Sequence, residues 1–344
     1  MTNERQAVAP RLTERTPSMS AVELAATLVP PRQFDTASFE SYRPDPDYPS
    51  QSEALGRITA FADGWKPVKG GGFFGRSKKT ADVKPGIYLD GGFGVGKTHL
   101  LAALWHAAPG PKYFGTFIEY TALIGALGYA EAVKLFRGSK FIAIDEFELD
   151  DPGDTMLMTR FLGELAAGGT RLAATSNTPP NALGEGRFAA ADFLREIQAI
   201  ADRFEIVRID GLDYRRRDLE GHAVAFTSDD ALLEAVERRA AAGEPITLDS
   251  FTDLVEHLGS IHPSRYIKLI EGIDAIGLQG VVPLLNQTDA LRLVAFVDRV
   301  YDAQIRILAS GTPLDEVFAG DMLDGGYRKK YLRATSRLIA SATL

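Results

Sequence analysis

Residues 86–98 read Gly-Ile-Tyr-Leu-Asp-Gly-Gly-Phe-Gly-Val-Gly-Lys-Thr, an apolar run that passes directly into a glycine-rich turn. The apolar run predicts a buried strand, and residues 97–107 after the turn predict a helix. Residues 91–98 carry the spacing Gly-x-x-x-x-Gly-Lys-Thr, which is typical of a phosphate-binding loop (P-loop). The glycines permit positive φ, so that successive backbone N–H groups and the helix N-terminus can surround phosphates. The stretch therefore predicts a nucleotide site.

The side chains that follow these glycines have distinct expected roles. Lys97 would reach the β and γ phosphates, and the Thr98 hydroxyl would ligate Mg²⁺. ATP and Mg²⁺ are therefore the expected cofactors. The residues expected to contact the nucleotide here are Gly91, Gly92, Phe93, Gly94, Val95, Gly96, Lys97, Thr98 and His99.

A second motif is the apolar run Phe-Ile-Ala-Ile at residues 141–144, which ends in Asp145 and Glu146. A buried strand with this ending places one carboxylate in the Mg²⁺ shell and the other beside the γ-phosphate. We expect Asp145 to be the Mg²⁺ residue and Glu146 to be the catalytic base that deprotonates water. The alternative is an acidic turn after a core strand.

A third motif is Leu-Ala-Ala-Thr-Ser-Asn at residues 172–177, followed by Thr-Pro-Pro. A strand that lies beside the phosphate-binding strand and ends in a polar residue can sense the γ-phosphate. Asn177 would hydrogen-bond the attacking water. Asn is also common before a proline-rich turn, where it has no catalytic role. The sensing role is therefore supported only because the P-loop and the acidic pair occur in the same sequence.

The alternation of strand and helix patterns predicts an α/β fold. Short apolar runs separated by helices indicate a parallel sheet that is covered on both faces. We expect a core at residues 85–217, followed by a smaller, mainly helical C-terminal lid domain at 218–344. The predicted strands of the core are residues 86–89, 113–118, 140–144, 171–175 and 204–209, and its predicted helices are 97–107, 120–136, 155–167 and 192–202.

The region before the core has two predicted parts. Residues 1–30 mix charge, Ser, Thr and Pro, and they predict a mobile lead-in. Residues 31–84 predict a helical brace followed by a basic Gly/Phe loop. In this loop, Phe73 and Phe74 are flanked by cations, and the simpler interpretation is a solvated flexible loop. A docking loop for an acidic partner or a membrane surface is the alternative.

Composition narrows the function classes. The 344 residues are 45% hydrophobic and 24% charged, an ordinary globular balance. The formal net charge of -8 weighs against a nucleic-acid partner. The chain has no cysteine, which excludes disulfides and thiolate metal sites and favours the cytoplasm. No stretch is apolar enough to span a bilayer, so that we expect peripheral membrane contact at most.

The P-loop, the acidic pair and the polar strand end together resemble the AAA+ ATPases. Further motifs narrow the resemblance to the ZapE family of cell-division ATPases and its mitochondrial relatives, over roughly residues 31–340. The sequence departs from the family pattern at residues 113–116 and at Leu291, which puts partner contacts through those regions in doubt. The further motifs are Phe147, Asp151, Asp154, Phe193-Leu194, Asp213-Tyr214-Arg215, Arg292, Asp298, Tyr301, Arg333 and Ser336-Arg337-Leu338.

The resemblance implies an ATPase that remodels a protein partner, the division-ring protein FtsZ, at the division site. It also implies an ATP-dependent homo-oligomer in which one subunit supplies an arginine finger to the next. Arg187 is the preferred finger and Arg195 the alternative, while Arg292 is the candidate lid arginine. Each of them could instead form a surface salt bridge.

Two other functions remain open at this point. One is a helicase-loader-like module, linked to nucleic acid, in which ATP acts as a conformational switch. The other is a structural protein with a relic P-loop, which conflicts with the presence of Lys97, Asp145 and Glu146. The basic residues near the C-terminus indicate a solvated helix face. They are Arg328, Lys329, Lys330, Arg333 and Arg337.

Overall fold

The structure is a computed structural model that describes residues 9–65, 84–92, 94–147, 152–179, 194–212 and 222–343. The chain divides into two compact units. We call residues 21–30 and 34–214 the P-loop unit, and residues 1–20, 31–33 and 215–344 the C-terminal unit. Among the residues described, no helix is both long and apolar enough to cross a membrane.

The P-loop unit is built on a sheet of five parallel strands in the order β2-β3-β4-β1-β5. These strands confirm the predicted parallel sheet. They are β1 (Gly86–Gly91), β2 (Lys112–Thr116), β3 (Phe141–Asp145), β4 (Arg171–Ser176) and β5 (Phe204–Ile209). The described helices of the unit are α1 (Ala21–Ala26), α2 (Pro49–Asp63), α3 (Lys97–Ala107), α4 (Phe117–Leu127), α5 (Tyr129–Phe136), α6 (Pro152–Ala167) and α7 (Leu194–Ala201).

Burial along the strands explains why these segments form a sheet. Every residue of β1 and of β3 is buried, as expected for strands covered on both faces. On one face, Ile87 and Leu89 of β1 share a cluster with Leu100 of α3 and with Ile58 of α2. Helix α2 lies in the segment 31–84, so the helical part of that segment packs onto the sheet.

The helical stretch predicted at residues 120–136 is two helices. The structure breaks it at Gly128, whose φ of +78° belongs to the left-handed region that glycine tolerates. Helix α4 begins with a capping box, in which the Thr116 hydroxyl accepts from Glu119 N and the Glu119 carboxylate accepts from Thr116 N. The helix therefore starts three residues before the predicted position.

Helices make up most of the described C-terminal unit, as the sequence predicts, but a parallel sheet that was not predicted lies at its centre. Three strands, in the order β6-β7-β8, form this sheet. The elements are α8 (Asp229–Ala241), β6 (Ile246–Ser250), α9 (Phe251–Ser260), α10 (Tyr266–Leu269), β7 (Ala275–Val281), α11 (Gln287–Asp302), β8 (Arg306–Gly311) and α12 (Arg328–Thr343).

The two faces of this second sheet pack against different helices. Ala275 and Leu308 share a cluster with Val236 of α8. Ile276, the next residue on β7, belongs to the cluster that contains Phe296 of α11. The unit is therefore a three-layer α/β/α arrangement. The sequence conceals it because the strands are short and because β7 carries two glycines and a glutamine in place of a continuous apolar run.

The N-terminal segment is part of this unit, so the predicted mobile lead-in is wrong for residues 9–20. Leu12 is fully buried in the core. The N–H groups of Leu12 and Thr13 each donate to the buried Asp249 carboxylate at 3.0 Å, and Leu248 N donates to Pro10 O at 3.2 Å. The segment thus covers the edge of β6, where unpaired backbone groups would otherwise be exposed.

Residues 21–30 of the predicted lead-in are also ordered, within the P-loop unit. Helix α1 packs on α4, and Leu28 O accepts from Phe114 N at 2.8 Å beside the outer strand β2. Residues 1–20 and 31–33 thus belong to the C-terminal unit, whereas residues 21–30 belong to the P-loop unit. The two units are therefore not the consecutive domains that the sequence predicts.

Two of the five basic residues near the C-terminus are not on a solvated face, which corrects that prediction. Arg333 and Arg337 of α12 are almost completely buried and pair with Asp298 of α11, Arg333 at 2.8 Å. The Arg337 guanidinium also lies over the Tyr301 ring at 5.3 Å. These residues, which match the family pattern, therefore hold α11 and α12 together.

Candidate active site

The order of the strands brings the three sequence motifs to one edge of the sheet. Strand β4 lies between β1 and β3, with Asp90 paired to Ser176 and Ile144 paired to Ala174. The strand that leads into Asn177 therefore lies beside the phosphate-binding strand. Because all five strands are parallel, the P-loop, the acidic pair and Asn177 all follow carboxyl ends, where ligands bind in open α/β sheets.

Lys97 lies at the centre of this edge, as the first residue of α3. Its ammonium donates to Gly91 O at 3.0 Å, to Gly92 O at 2.5 Å and to Asn177 Oδ1 at 3.0 Å. The side chain is 8% exposed, so its charge is held by these oxygens with little help from solvent. The contact with Asn177 joins two residues that are 80 positions apart in the sequence.

Thr98 and Asp145 form the second contact between motifs. The Thr98 hydroxyl lies 3.2 Å from Asp145 Oδ1 and 3.1 Å from Oδ2. A hydroxyl and a carboxylate at this distance are the hard oxygen donors that Mg²⁺ takes in nucleotide sites. The two residues predicted to hold the metal therefore suit it, both in chemistry and in mutual position.

Burial raises the pKa of the Asp145 carboxyl, and the negative charge of Glu146 raises it further. Hydrogen bonds from Thr175 and Thr98 and the positive charge of Lys97 act in the opposite direction. A cation bound at Asp145 would favour the ionised carboxylate in the same way as Lys97 does.

Glu146 stands at a sharp turn of the backbone. Its φ is +53°, in the left-handed region that residues other than glycine rarely occupy. Such a conformation costs about 1–3 kcal/mol and persists only where the surroundings impose it. Here they do, because Glu146 N donates to Thr175 Oγ1 at 3.1 Å and Phe147 N donates to Thr175 O at 2.7 Å.

Two P-loop glycines are required by close packing. A Cβ on Gly91 would lie 2.2 Å from Ile209 O, and a Cβ on Gly96, whose φ is +86°, would lie 2.5 Å from the Tyr42 ring. The Tyr42 hydroxyl also donates to Val95 O at 3.0 Å. The loop is thus fixed from outside by β5 and by the segment before α2.

His99 was predicted to contact the nucleotide, and its ring is turned toward the segment before α2. Nε2 lies 2.9 Å from Ser41 Oγ and 3.1 Å from Ser38 O. The ring also contacts the Tyr42 ring, with the centroids 5.8 Å apart. These contacts place His99 in the packing that supports the P-loop.

The described contacts of the site include none of the predicted arginines. Arg187 lies outside the described residues, as does Phe93 of the P-loop. Arg195 is exposed on α7. Arg292 belongs to the C-terminal unit, where it pairs with Asp289 at 3.1 Å on the same helix. Their proposed roles therefore stay predictions.

No sequence pattern singles out Thr175 or Tyr42 as a functional residue. Thr is an ordinary strand residue, and nothing in its spacing marks the hydroxyl that bonds the acidic turn. Tyr42 precedes the P-loop by about 50 residues in an irregular segment, where no periodicity shows which way an aromatic ring points.

Comparison with known proteins identifies relatives of this chain in different organisms. "Cell division protein ZapE" of Escherichia coli K12 is 29% identical over 294 residues, which cover 74% of this chain and 76% of that protein. "Lactation elevated protein 1 homolog B" of Danio rerio is 25% identical over 227 residues, which cover 56% of this chain and 44% of that protein.

Solved structures show looser likenesses. AMPPCP-bound DnaA from Aquifex aeolicus aligns with a TM-score of 0.41 at 12% identity, over 90% of this chain and 98% of that one. The DnaC helicase loader aligns with a TM-score of 0.36 at 18% identity, over 52% of this chain and 99% of that one. We draw nothing about function from similarities at this level.

A family model is decisive. The model described as AFG1-like ATPase matches residues 18–242 and 225–343, and so includes the P-loop, the acidic pair, Asn177 and the helices of the C-terminal unit. The chain therefore belongs to the AFG1-like ATPase family and is a nucleotide-binding ATPase.

Proposed function

We propose that the chain hydrolyses ATP in a Mg²⁺-dependent reaction at the carboxyl edge of the five-stranded sheet. One observation carries the proposal: Lys97 bonds Asn177 at 3.0 Å while the adjacent Thr98 bonds Asp145 at 3.1 Å. Three motifs from separate parts of the sequence thus share one site. Their residue types match the needs of phosphoryl transfer, which requires positioning and charge stabilisation.

Each side chain has a role that follows from its chemistry. Thr98 and Asp145 would hold Mg²⁺, which when bound neutralises charge on the phosphate oxygens. Lys97 would bind the terminal phosphates as a buried cation. Asn177 would orient the attacking water through its amide. Lys97 and Thr98 begin a helix, Asp145 ends a strand and Asn177 directly follows one, and such rigid elements hold a site in place.

Glu146 would act as the general base that accepts a proton from water. It is adjacent to Asp145, so a metal ligand and a base can act on the same phosphate group. Its backbone conformation is imposed by neighbouring hydrogen bonds, as expected where geometry serves chemistry. General bases of this kind contribute about 10²- to 10⁴-fold to rate.

Glu146→Gln tests this assignment, because the amide keeps the shape of the side chain and removes its basicity. We expect kcat to fall by about 10²-fold or more while ATP still binds. A suitable control is Glu131→Gln, the same change at an exposed residue of α5 that pairs with Lys134. Turnover at the wild-type rate in Glu146→Gln would show that Glu146 is not the base.

We further propose that hydrolysis remodels a protein partner in cell division, an FtsZ-type protein. The support is the 29% identity to the cell-division protein of E. coli over three-quarters of this chain. Glu146→Gln with ATP should sediment with purified FtsZ polymers. Tight, salt-sensitive and ATP-dependent binding to single-stranded DNA, without binding to FtsZ, would favour the helicase-loader alternative instead.

The proposal includes an ATP-dependent homo-oligomer, in which Arg187 or Arg195 of one subunit completes the site of its neighbour and Arg292 acts from the C-terminal unit. An arginine supplied by another subunit makes turnover depend on assembly. Specific activity should therefore rise with protein concentration. A constant specific activity over a wide concentration range would exclude the shared site.

A further inference from the structure

Thr175 connects the acidic pair to the strand that leads into Asn177, and no motif assigns it a role. It lies on β4, one position before the last residue of the strand, and is 1% exposed. Its partners are three successive residues that end β3 and form the turn after it, Asp145, Glu146 and Phe147. A single strand residue thus bonds the whole acidic turn.

The hydroxyl of Thr175 is used in both directions. It donates to Asp145 Oδ1 and accepts from Glu146 N at 3.1 Å. This matches the capacity of a hydroxyl group, which has one proton to donate and lone pairs to accept. The first bond sets the rotation of the Asp145 carboxylate, and the second sets the peptide plane between Asp145 and Glu146.

The main chain of Thr175 makes a third hydrogen bond to the turn after β3. Its carbonyl accepts from Phe147 N at 2.7 Å, so Glu146 is held between two bonds to the same residue. Glu146 has a φ of +53° between these two anchors. Without the hydroxyl, the N–H of Glu146 loses its described partner on β4, and one of the restraints on the turn is gone.

We infer that Thr175 is a positioning residue for ATP hydrolysis, whose hydroxyl holds Asp145 and Glu146 in register with the sensing strand β4. This inference rests on the proposed roles of Asp145 and Glu146. Thr175 itself touches neither nucleotide nor metal in this scheme and acts through the two carboxylates. A polar neighbour that orients a metal ligand typically contributes about 10- to 100-fold to activity or metal affinity.

A purely structural role is the alternative, and the chain contains a matched example of one. Thr170, at the other end of the same strands, is 2% exposed, and its hydroxyl donates to Ser139 O at 2.8 Å. It thus bonds the segment before β4 to the segment before β3. Thr170→Val removes a buried hydroxyl from the same pair of strands, five residues from Thr175 and away from the acidic turn.

The experiment compares Thr175→Val, Thr175→Ser and Thr170→Val in the full chain. Valine keeps the shape of threonine without the hydroxyl, and serine keeps the hydroxyl without the methyl group. We expect Thr175→Val to lower kcat by about 10- to 100-fold, and Thr175→Ser to recover most of that loss. Thr170→Val should keep the wild-type kcat, although its melting temperature should fall about as much as that of Thr175→Val.

A second measurement does not depend on turnover. The affinity for a fluorescent ATP analogue is measured with Mg²⁺ and again with EDTA. Thr175→Val should weaken binding in Mg²⁺ and leave binding in EDTA unchanged, because the hydroxyl acts through the carboxylate that holds the metal. Equal weakening in both conditions would indicate general damage to the site and would overturn the inference.

Two results for kcat would also overturn the inference. If Thr175→Val and Thr170→Val have the same kcat, Thr175 has only a structural role. If Thr175→Ser is as slow as Thr175→Val, the hydroxyl is not what matters. The Glu146→Gln variant separates the two proposals: normal turnover in Glu146→Gln refutes the proposed base, whereas a slow Glu146→Gln beside a normal Thr175→Val refutes only the role of Thr175.

Discussion

At Gly91 the P-loop has no room for any side chain, because a Cβ there would lie 2.2 Å from the backbone oxygen of Ile209. The adjacent Gly92 differs, since a Cβ there would meet nothing within 4 Å. Gly91 is the first glycine of the motif and Gly92 occupies its first variable position, although the carbonyls of both residues accept from Lys97. The packing of β5 against the loop gives a physical reason why the first of these positions must be glycine.

The close approach at Gly91 gives a prediction that two single substitutions test. Gly91→Ala should displace the start of the loop from β5 at a cost of about 1–3 kcal/mol, the usual range for overpacking. We expect this strain to lower the affinity for ATP by about tenfold or more. Gly56→Ala, at an exposed glycine of α2 where a Cβ meets nothing within 4 Å, is the control and should bind ATP as well as the wild type. Equal affinity in both variants, measured by calorimetry, would contradict the packing explanation.

At the scale of elements, α11 and α12 are joined by a buried charge cluster. Burial alone would raise the pKa of the Asp298 carboxyl, but the positive charges of Arg333 and Arg337 outweigh it and lower that pKa. A carboxylate held in this way stabilises the folded state while it is ionised. The same three residues match the pattern of the family, so part of the C-terminal pattern is explained by packing between helices.

Asp298→Asn should leave two nearly buried arginines without their counter-charge. We expect the free energy of unfolding of the C-terminal unit to fall by about 3–5 kcal/mol, which is typical when one partner of a buried ion pair is removed. Asp289→Asn on the same helix is the control, because its pair with Arg292 is about one-third exposed on both sides. That change should cost about 0.5 kcal/mol.

The same cluster predicts a dependence on pH. Because the folded pKa of Asp298 is lowered, its contribution is fully present above the unfolded value of about 3.9 and is lost as the pH falls through the folded value. Wild-type stability should therefore decline in this acidic window more steeply than that of Asp298→Asn. Parallel curves in chemical denaturation at several pH values would exclude the cluster as the cause.

At the scale of the whole molecule, the first described residues belong to the same unit as the last. Leu12 is fully buried among residues of α9, β7 and α11, more than 200 positions away in the sequence. Asp249 fixes this segment through the backbone N–H groups of Leu12 and Thr13. The integrity of the C-terminal unit therefore depends on the N-terminal segment.

Leu12→Ala should destabilise the C-terminal unit and leave the P-loop unit unchanged. Truncation of a buried leucine costs about 2–5 kcal/mol. Hydrogen exchange should become faster at amides of β6 and β7 but not at those of β1 and β4, because local opening follows cooperative units. Glu14→Ala, an exposed change in the same segment, is the control. Uniform acceleration in both units would contradict this division.

Particular elements show how far the sequence predicts the fold. All five strands of the P-loop unit are recognised, because each carries at least two adjacent apolar or aromatic residues between helical patterns. The sheet of the C-terminal unit is missed, because its β7 contains Gly277 and Gly280 and its β6 alternates with polar residues. The break at Gly128 is missed because a glycine within a helical pattern is often tolerated.

The residues of the candidate site likewise fall into those that the sequence predicts and those that only the structure reveals. Lys97, Thr98, Asp145, Glu146 and Asn177 follow from local patterns, since each pattern combines a buried strand with a polar end. Thr175 and Tyr42 carry no such pattern. Their importance comes from one hydroxyl that faces an acidic turn and one ring that covers a glycine, and both are contacts between distant segments.

By itself, then, the sequence determined the strands of the P-loop unit, the phosphate-binding loop, the acidic pair and the polar strand end. These features depend on the spacing of apolar residues and on the backbone conformations open to glycine, both of which are set within a few residues. Only the tertiary structure decided the strand order that inserts β4 between β1 and β3 and sets Lys97 against Asn177. It also decided that residues 9–20 complete the C-terminal unit. Strand order and long-range packing depend on contacts between segments far apart in the chain, and no local spacing records them.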